Sequence, residues 1–214
     1  MRNKPETTSK RIMELIAKMP YFTLENLRIT GILPHYLRVF LSRQVKAGGM
    51  VRLKKGLYVS QRYIEEVKAS GRISPLLEFL ACAMYVPAYL SGEYVLYSYN
   101  LLTEVPQNFT LMTRNKTARF SNRLGNFIYH SLQERLFAGF KSKREGAFTI
   151  SIATKAKALF DFLYLRKDII GSKEEFDELR LNLDEMSVRD KKELKTYITL
   201  ENSVKMKQIY SFLK

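Results

Sequence analysis

The chain has 214 residues, enough for one large domain or two small ones, and its 46% hydrophobic and 27% charged content excludes disorder as the main state. No run of about 18 apolar residues occurs, so no membrane span is expected. Thirty-six lysines and arginines against 21 aspartates and glutamates give a net charge of +15, which points to a polyanionic partner, nucleic acid being the commonest.

The charge is uneven. Residues 1–70 hold 14 basic and 5 acidic residues, residues 71–171 hold 13 and 7, and residues 172–214 hold 9 of each. From the N-terminus, Met1–Glu6 leads into an amphipathic segment rather than an uninterrupted apolar run, so no signal peptide is expected. Ile12, Leu15, Ile16 and Met19 recur at helical spacing, and Pro20 ends that helix. Thr23 reads as the N-cap of a short helix that Gly31 breaks. Pro34 suits the first turn of a third helix with Leu37, Phe40, Leu41 and Val45 inward, and Gly48-Gly49 closes it. Met50 to Val59 alternates apolar and basic residues on either side of Lys55-Gly56, the pattern of a β-hairpin. Helix, short helix, helix and basic hairpin in that order predict a winged helix-turn-helix over residues 1–70. Gly71 and Pro75 flank Ser74 at the expected domain boundary.

Residues 71–214 read as a larger mixed α/β domain with a helical C-terminal tail, so the whole is α+β. Ser74 and Pro75 open one helix, running to about Tyr85, and Tyr89–Tyr97 reads as a second with Ser91 near its start. Phe109–Thr113, Gly125–His130 and Phe148–Ile152 are strand candidates, and Thr154 to about Leu165 is helical again. Ser172–Glu175 is a capping box, and Ser187–Asp190 looks like another helix start.

Catalytic raw material is scarce. There is no phosphate-cradling glycine loop, no H-E-x-x-H and no G-x-S-x-G, and the only histidines are His35 and His130. Cys82, the single cysteine, excludes an internal disulfide and a cysteine-built zinc site, sits among apolar neighbours as a core thiol, and suits a cytoplasmic protein. Neither cofactor nor metal is expected. Asp161, on an otherwise apolar helix, reads as a packing carboxylate paired with a nearby Lys or Arg.

The third helix carries the best site. With its apolar face inward, His35, Tyr36, Arg38, Val39, Ser42, Arg43 and Lys46 cover the outer faces. Arg38 and Arg43 are candidates for bidentate bonds to guanine, His35, Tyr36 and Ser42 lie beside them, and Lys46 with Arg52, Lys54 and Lys55 on the hairpin would hold phosphates. A second basic patch comprises Arg114, Lys116, Arg119, Arg123, Lys141, Lys143 and Arg144; Val105 to Gln133 contains no acid. It reads as a grip on flanking DNA or an acidic partner, or as a solvated loop surface.

Several of these segments resemble the AbiEi family, the antitoxins of type IV (abortive infection AbiE) toxin–antitoxin systems. The hairpin end Lys55-Gly56-Leu57-Tyr58-Val59 is similar to that family's wing. Tyr89-Leu90-Ser91-x-Glu93, then Leu101-Leu102 and Glu104-Val105-Pro106, resemble the segment that follows it. Thr113 and Arg119-Phe120 stand where its strand and basic loop would be. Ala153 to Asp161 resembles the family's A-T-P-E-K-A-L-x-D helix start, matching at Lys157, Ala158, Leu159 and Asp161, with Lys155 and Ala156 in place of proline and glutamate. The resemblance implies a non-catalytic protein that represses its own operon through the winged helix, often at inverted repeats on double-stranded DNA. It also implies a C-terminal domain that counteracts a co-encoded nucleotidyltransferase-like toxin, without requiring a stable complex. Two rivals remain: an RNA- or tRNA-binding module, and a metal-dependent nuclease using Asp161 with Glu93 or Glu145.

Overall fold

The amphipathic spacing near the N-terminus forms helix α1, Pro5–Ile16, which buries Ile12 and Ile16. The computed structural model describes residues 5–213, with side chains from Ser9 onward. The expectation about a leader falls partly on residues 1–4, outside those described. The chain divides into two compact units: residues through Leu80 with Phe120–Gly125, and Ala81–Arg119 with Asn126 onward. Together they make a mixed α+β protein with two sheets.

The first unit contains β1 (Phe22–Thr23), α2 (Pro34–Lys46), β2 (Met50–Lys54), β3 (Leu57–Ser60) and α3 (Gln61–Ala69). Its sheet has the order β1-β3-β2, antiparallel throughout. Ile12, Ile16, Phe22, Leu27, Leu37, Leu41 and Met50 form its core. Thr23 ends β1 and also bonds the turn that follows, as read from the sequence: its Oγ1 accepts the Asn26 N–H at 3.4 Å, and its own N–H donates to Asn26 Oδ1 at 2.8 Å. The short helix that follows is a 3-10 turn over Glu25–Thr30, stopped at Gly31, whose φ of +71° is glycine territory. Pro34 opens α2 as expected. A register shift between Arg52 and Lys54 leaves Lys55-Gly56 as the hairpin turn. Helix α3 is not visible in the sequence pattern because only Ile64 and Val67 of its nine residues are buried.

Helix α4 spans Ile73–Met84, so Ser74 lies inside its first turn rather than capping it, and Pro75 follows within that turn. A proline is tolerated there because first-turn N–H groups have no helical acceptor. Beyond it a six-stranded sheet comprises β4 (Ala88–Leu90), β5 (Phe109–Thr113), β6 (Ala118–Asn122), β7 (Gly125–Ser131), β8 (Phe140–Glu145) and β9 (Phe148–Ala153). The order is β6-β7-β5-β4-β9-β8. Tyr89 and Leu90 belong to β4, correcting their assignment to a helix; helix α5 begins only at Gly92 and runs to Ser98, with Ser91 before it. β6 and β8 lie where basic loops were expected.

Helix α6, Lys155–Arg166, is capped by Thr154, whose hydroxyl accepts the Lys157 N–H at 3.2 Å. Every residue from Ala156 to Leu163 is buried. Helix α7 (Lys173–Asp177) starts at the capping box read from the sequence, α8 (Val188–Glu201) starts at the expected Ser187, which also forms a capping box with Asp190, and α9 (Val204–Ser211) starts at Ser203. Cys82 is only partly buried, a correction to its reading as a core thiol, and its Sγ donates to the Ser151 carbonyl at 3.4 Å. No helix among the described residues is long and apolar enough to cross a membrane.

Candidate nucleic-acid interface

Helix α2 is held by one side. Leu37 and Leu41 are buried, and Phe40 and Val45 pack partly against the same core. At about 100° per residue, the opposite side belongs to His35, Val39, Ser42, Arg43 and Lys46. All five are exposed, as are Tyr36 and Arg38. Arg43 lies two positions past Leu41 and points away from the core, whereas Arg38 follows Leu37 directly and flanks the buried side. The rings of His35 and Tyr36 stand 4.0 Å apart. Between Glu25 and Glu65 the chain has eight lysines and arginines and no acid, so no carboxylate from this stretch dilutes the surface.

The hairpin adds Arg52 and Lys55, both exposed, and Lys54, half-buried with its ammonium 5.8 Å from the centre of the Phe120 ring. That ring comes from the distant segment Phe120–Gly125, which clusters with this unit. Asn122 Nδ2 donates to the Leu53 carbonyl at 3.1 Å, tying the segment to β2. Arg123 lies beside Gly48, just past the end of α2: a Cβ built on Gly48 would stand 3.7 Å from the guanidinium. Arg123 therefore joins the α2 and hairpin surface. Nothing in the sequence signals this, since 75 positions separate Arg123 from Gly48.

The second basic patch does not form one surface. Besides Arg123, Arg114 and Lys116 lie in the β5–β6 connection and Arg119 on β6, while Lys141, Lys143 and Arg144 lie on β8. Four strands separate β6 from β8, so these groups sit on opposite sheet edges, about 24 Å apart at ordinary strand spacing. All are exposed, and two are already paired, Arg114 with Glu134 and Lys143 with Glu145, each at 2.8 Å.

No family model matches this chain, and no curated protein matches it.

In the second unit, Asp161 is fully buried and its acceptors are taken. Lys157 Nζ donates to Oδ1 at 2.6 Å, and Ser91 Oγ and Tyr89 Oη donate to Oδ2 at 2.7 and 3.0 Å. The Lys157 ammonium is also buried, 4.5 Å from the centre of the Phe160 ring and 5.3 Å from that of Tyr197. Burial pushes the Asp161 carboxyl up and the Lys157 ammonium down, and each charge opposes the shift of the other. Two segments that carry the family resemblance, Tyr89-Leu90-Ser91 and Lys157 to Asp161, thus meet around one carboxylate.

The other two acids of the nuclease alternative are engaged as well. Glu145 pairs with Lys143, and Glu93 accepts from Arg166 and from Thr110 Oγ1 at 3.1 Å. Glu93 and Arg166 line a cleft of about 900 Å³ with Thr110, His130, Phe162 and Arg180. Burial lowers the His130 pKa, opposed by the Glu93 charge and reinforced by those of Arg119 and Arg166. The Arg166 guanidinium lies over the Phe162 ring, 3.8 Å from its centre. Among the described residues no group of three or more His, Cys, Asp and Glu is placed to hold a metal ion.

Proposed function

We propose that the protein is a cytoplasmic DNA-binding autorepressor with an N-terminal winged helix-turn-helix, and the antitoxin of a type IV pair. In this reading α2 enters the major groove, the β2–β3 hairpin is the wing, and operator duplex DNA is the ligand. The observation that carries it is the outer face of α2: exposed, basic, free of acid and continuous in sequence with a basic hairpin. The element order supports it too, because β1 pairs with the returning strand β3 between helices that share one small core. The antitoxin half rests on the family resemblance. There the second unit counteracts a co-encoded nucleotidyltransferase-like toxin, and the protein itself is not an enzyme. The convergence of Tyr89, Ser91, Lys157 and Asp161 gives the resembling segments a shared structural purpose, which supports a common fold more than a common partner.

Gel-shift titration of the full chain against its own promoter duplex, a random duplex and a structured RNA at equal salt tests the reading. Preference for the promoter, lost in Arg43→Ala, supports it. A contact bidentate to guanine is worth about 1–3 kcal/mol of discrimination, or about fivefold to 150-fold. Preference for the RNA would move the protein to the RNA-binding class.

A further inference from the structure

The outer face of α2 is not uniformly polar. Val39 stands two residues from each of the buried Leu37 and Leu41, which at about 100° per residue makes it the most outward position of the helix. It is 48% exposed. One turn away on either side are His35 and Arg43, and Ser42 lies three residues on. Tyr36, three residues before Val39 and therefore its neighbour on the helix surface, is 61% exposed. A single exposed apolar residue needs no explanation. Here two occur side by side, in the amino-terminal half of the helix, where a groove-bound helix meets base edges.

Base edges offer one apolar group in the major groove, the C5-methyl of thymine. The eight basic residues between Glu25 and Glu65, with no acid among them, favour a duplex as the occupant over an apolar protein surface. Resting on the DNA-binding reading above, we infer that Val39 reads thymine methyls. The preferred half-site then contains thymine between the phosphates gripped by Lys46 and those gripped by the hairpin. Arg43 on the same face supplies the polar part of the readout, so the target is of mixed composition and not purely G·C.

The inference is tested with the full chain and a duplex enriched by it from a random library. That duplex is compared with the same sequence carrying deoxyuridine for thymidine, which deletes only the methyl groups. Wild-type protein should bind the uracil form about fourfold more weakly for each methyl packed against Val39, the equivalent of one buried carbon. Val39→Ala, a substitution at an exposed position outside the core, should bind the two forms alike. Tight binding of the enriched duplex with equal affinity for both forms would overturn the methyl readout and leave the DNA-binding reading intact. So would discrimination that persists in Val39→Ala, since the methyl is then read elsewhere. If Val39→Asp turned a dimer into a monomer while Val39→Ala left DNA affinity and methyl discrimination unchanged, the strip would be a contact between copies and the inference would fail. Failure to enrich any duplex would overturn both readings.

Discussion

At the scale of single residues, the Lys157–Asp161 pair is the most exacting feature of the second unit. Removing two charges from water is costly, and the pair persists because Asp161 also accepts from Tyr89 and Ser91 while Lys157 lies among aromatic rings. Deleting one partner leaves the other charge buried and alone. Lys157→Met should therefore lower stability by about 3–5 kcal/mol, read as a shift in the urea midpoint. Adding Asp161→Leu should recover part of the loss, though the Tyr89 and Ser91 hydroxyls then lose their acceptor. A small effect of Lys157→Met would mean that Asp161 is neutral in the native state. Half of this network is legible in the sequence: Asp161 reads as a helix carboxylate with a nearby basic partner, and Lys157 stands four residues before it. Tyr89 and Ser91 are not legible as partners, being about 70 positions away, in a segment whose pattern reads as helix.

Glu93 titrates in the opposite sense. Burial raises its pKa, but the Arg166 charge and the hydrogen bonds from Arg166 and Thr110 outweigh that and hold the carboxyl below the ordinary glutamate range. A depressed folded pKa means that the unfolded chain binds this proton first as pH falls. The stabilisation is complete above about pH 4.3, the unfolded value, and disappears as pH drops through the folded value. Glu93→Gln cannot bind the proton. It should be less stable than wild type at pH 7 and show a shallower loss below about pH 4.3 in urea midpoints measured across that range. Parallel acid limbs in the two proteins would show that Arg166 does not stabilise the carboxylate.

At the scale of elements, the hairpin and the strands β5, β7 and β9 follow from alternating or apolar runs bounded by turn residues. Other strands lack such a pattern for physical reasons. β4 is three residues buried on both faces, which periodicity cannot tell from a buried helix. The first five residues of β8 are all exposed, so no inward-facing alternation marks it; it stands at the end of the sheet beside β9, and its lysines suit an edge strand. This difference matters for binding. Arg52 and Lys55 belong to the proposed wing, whereas Lys141 and Arg144 belong to the other unit. Log affinity for duplex DNA should fall linearly with log salt, with a slope of about 0.9 for every phosphate neutralised. Arg52→Ala and Lys55→Ala, each freeing one phosphate, should make the slope shallower by that amount on specific and random duplexes alike. Lys141→Ala with Arg144→Ala should leave the slope unchanged. A slope that responds to the β8 residues and not to the hairpin would relocate the interface.

At the scale of the whole molecule, the boundary expected at Ser70-Gly71 coincides with the turn between α3 and α4, but the first unit is not one continuous stretch. Composition marks a break in the chain and carries no information about a later segment that returns. Cutting after residue 70 would discard Phe79, which packs on Tyr21 with ring centres 5.9 Å apart, and Asn122, which holds the Leu53 carbonyl. A fragment that failed to bind DNA would then report on its damaged fold as much as on the proposed DNA-reading surface. Separation of functions is better tested in the full chain. Arg43 and Lys46 are exposed and form no ion pair among the described residues, so Arg43→Glu/Lys46→Glu should leave the fold intact while placing two negative charges against phosphate. The variant should release an operator-driven reporter from repression. Co-expressed with the nucleotidyltransferase-like toxin proposed to be encoded beside it, the same variant should protect growth as well as wild type, because the charge reversal touches only the helix proposed to read DNA. Loss of protection by a variant whose urea midpoint matches wild type would place antitoxin activity on α2 and overturn the division of labour between the two units.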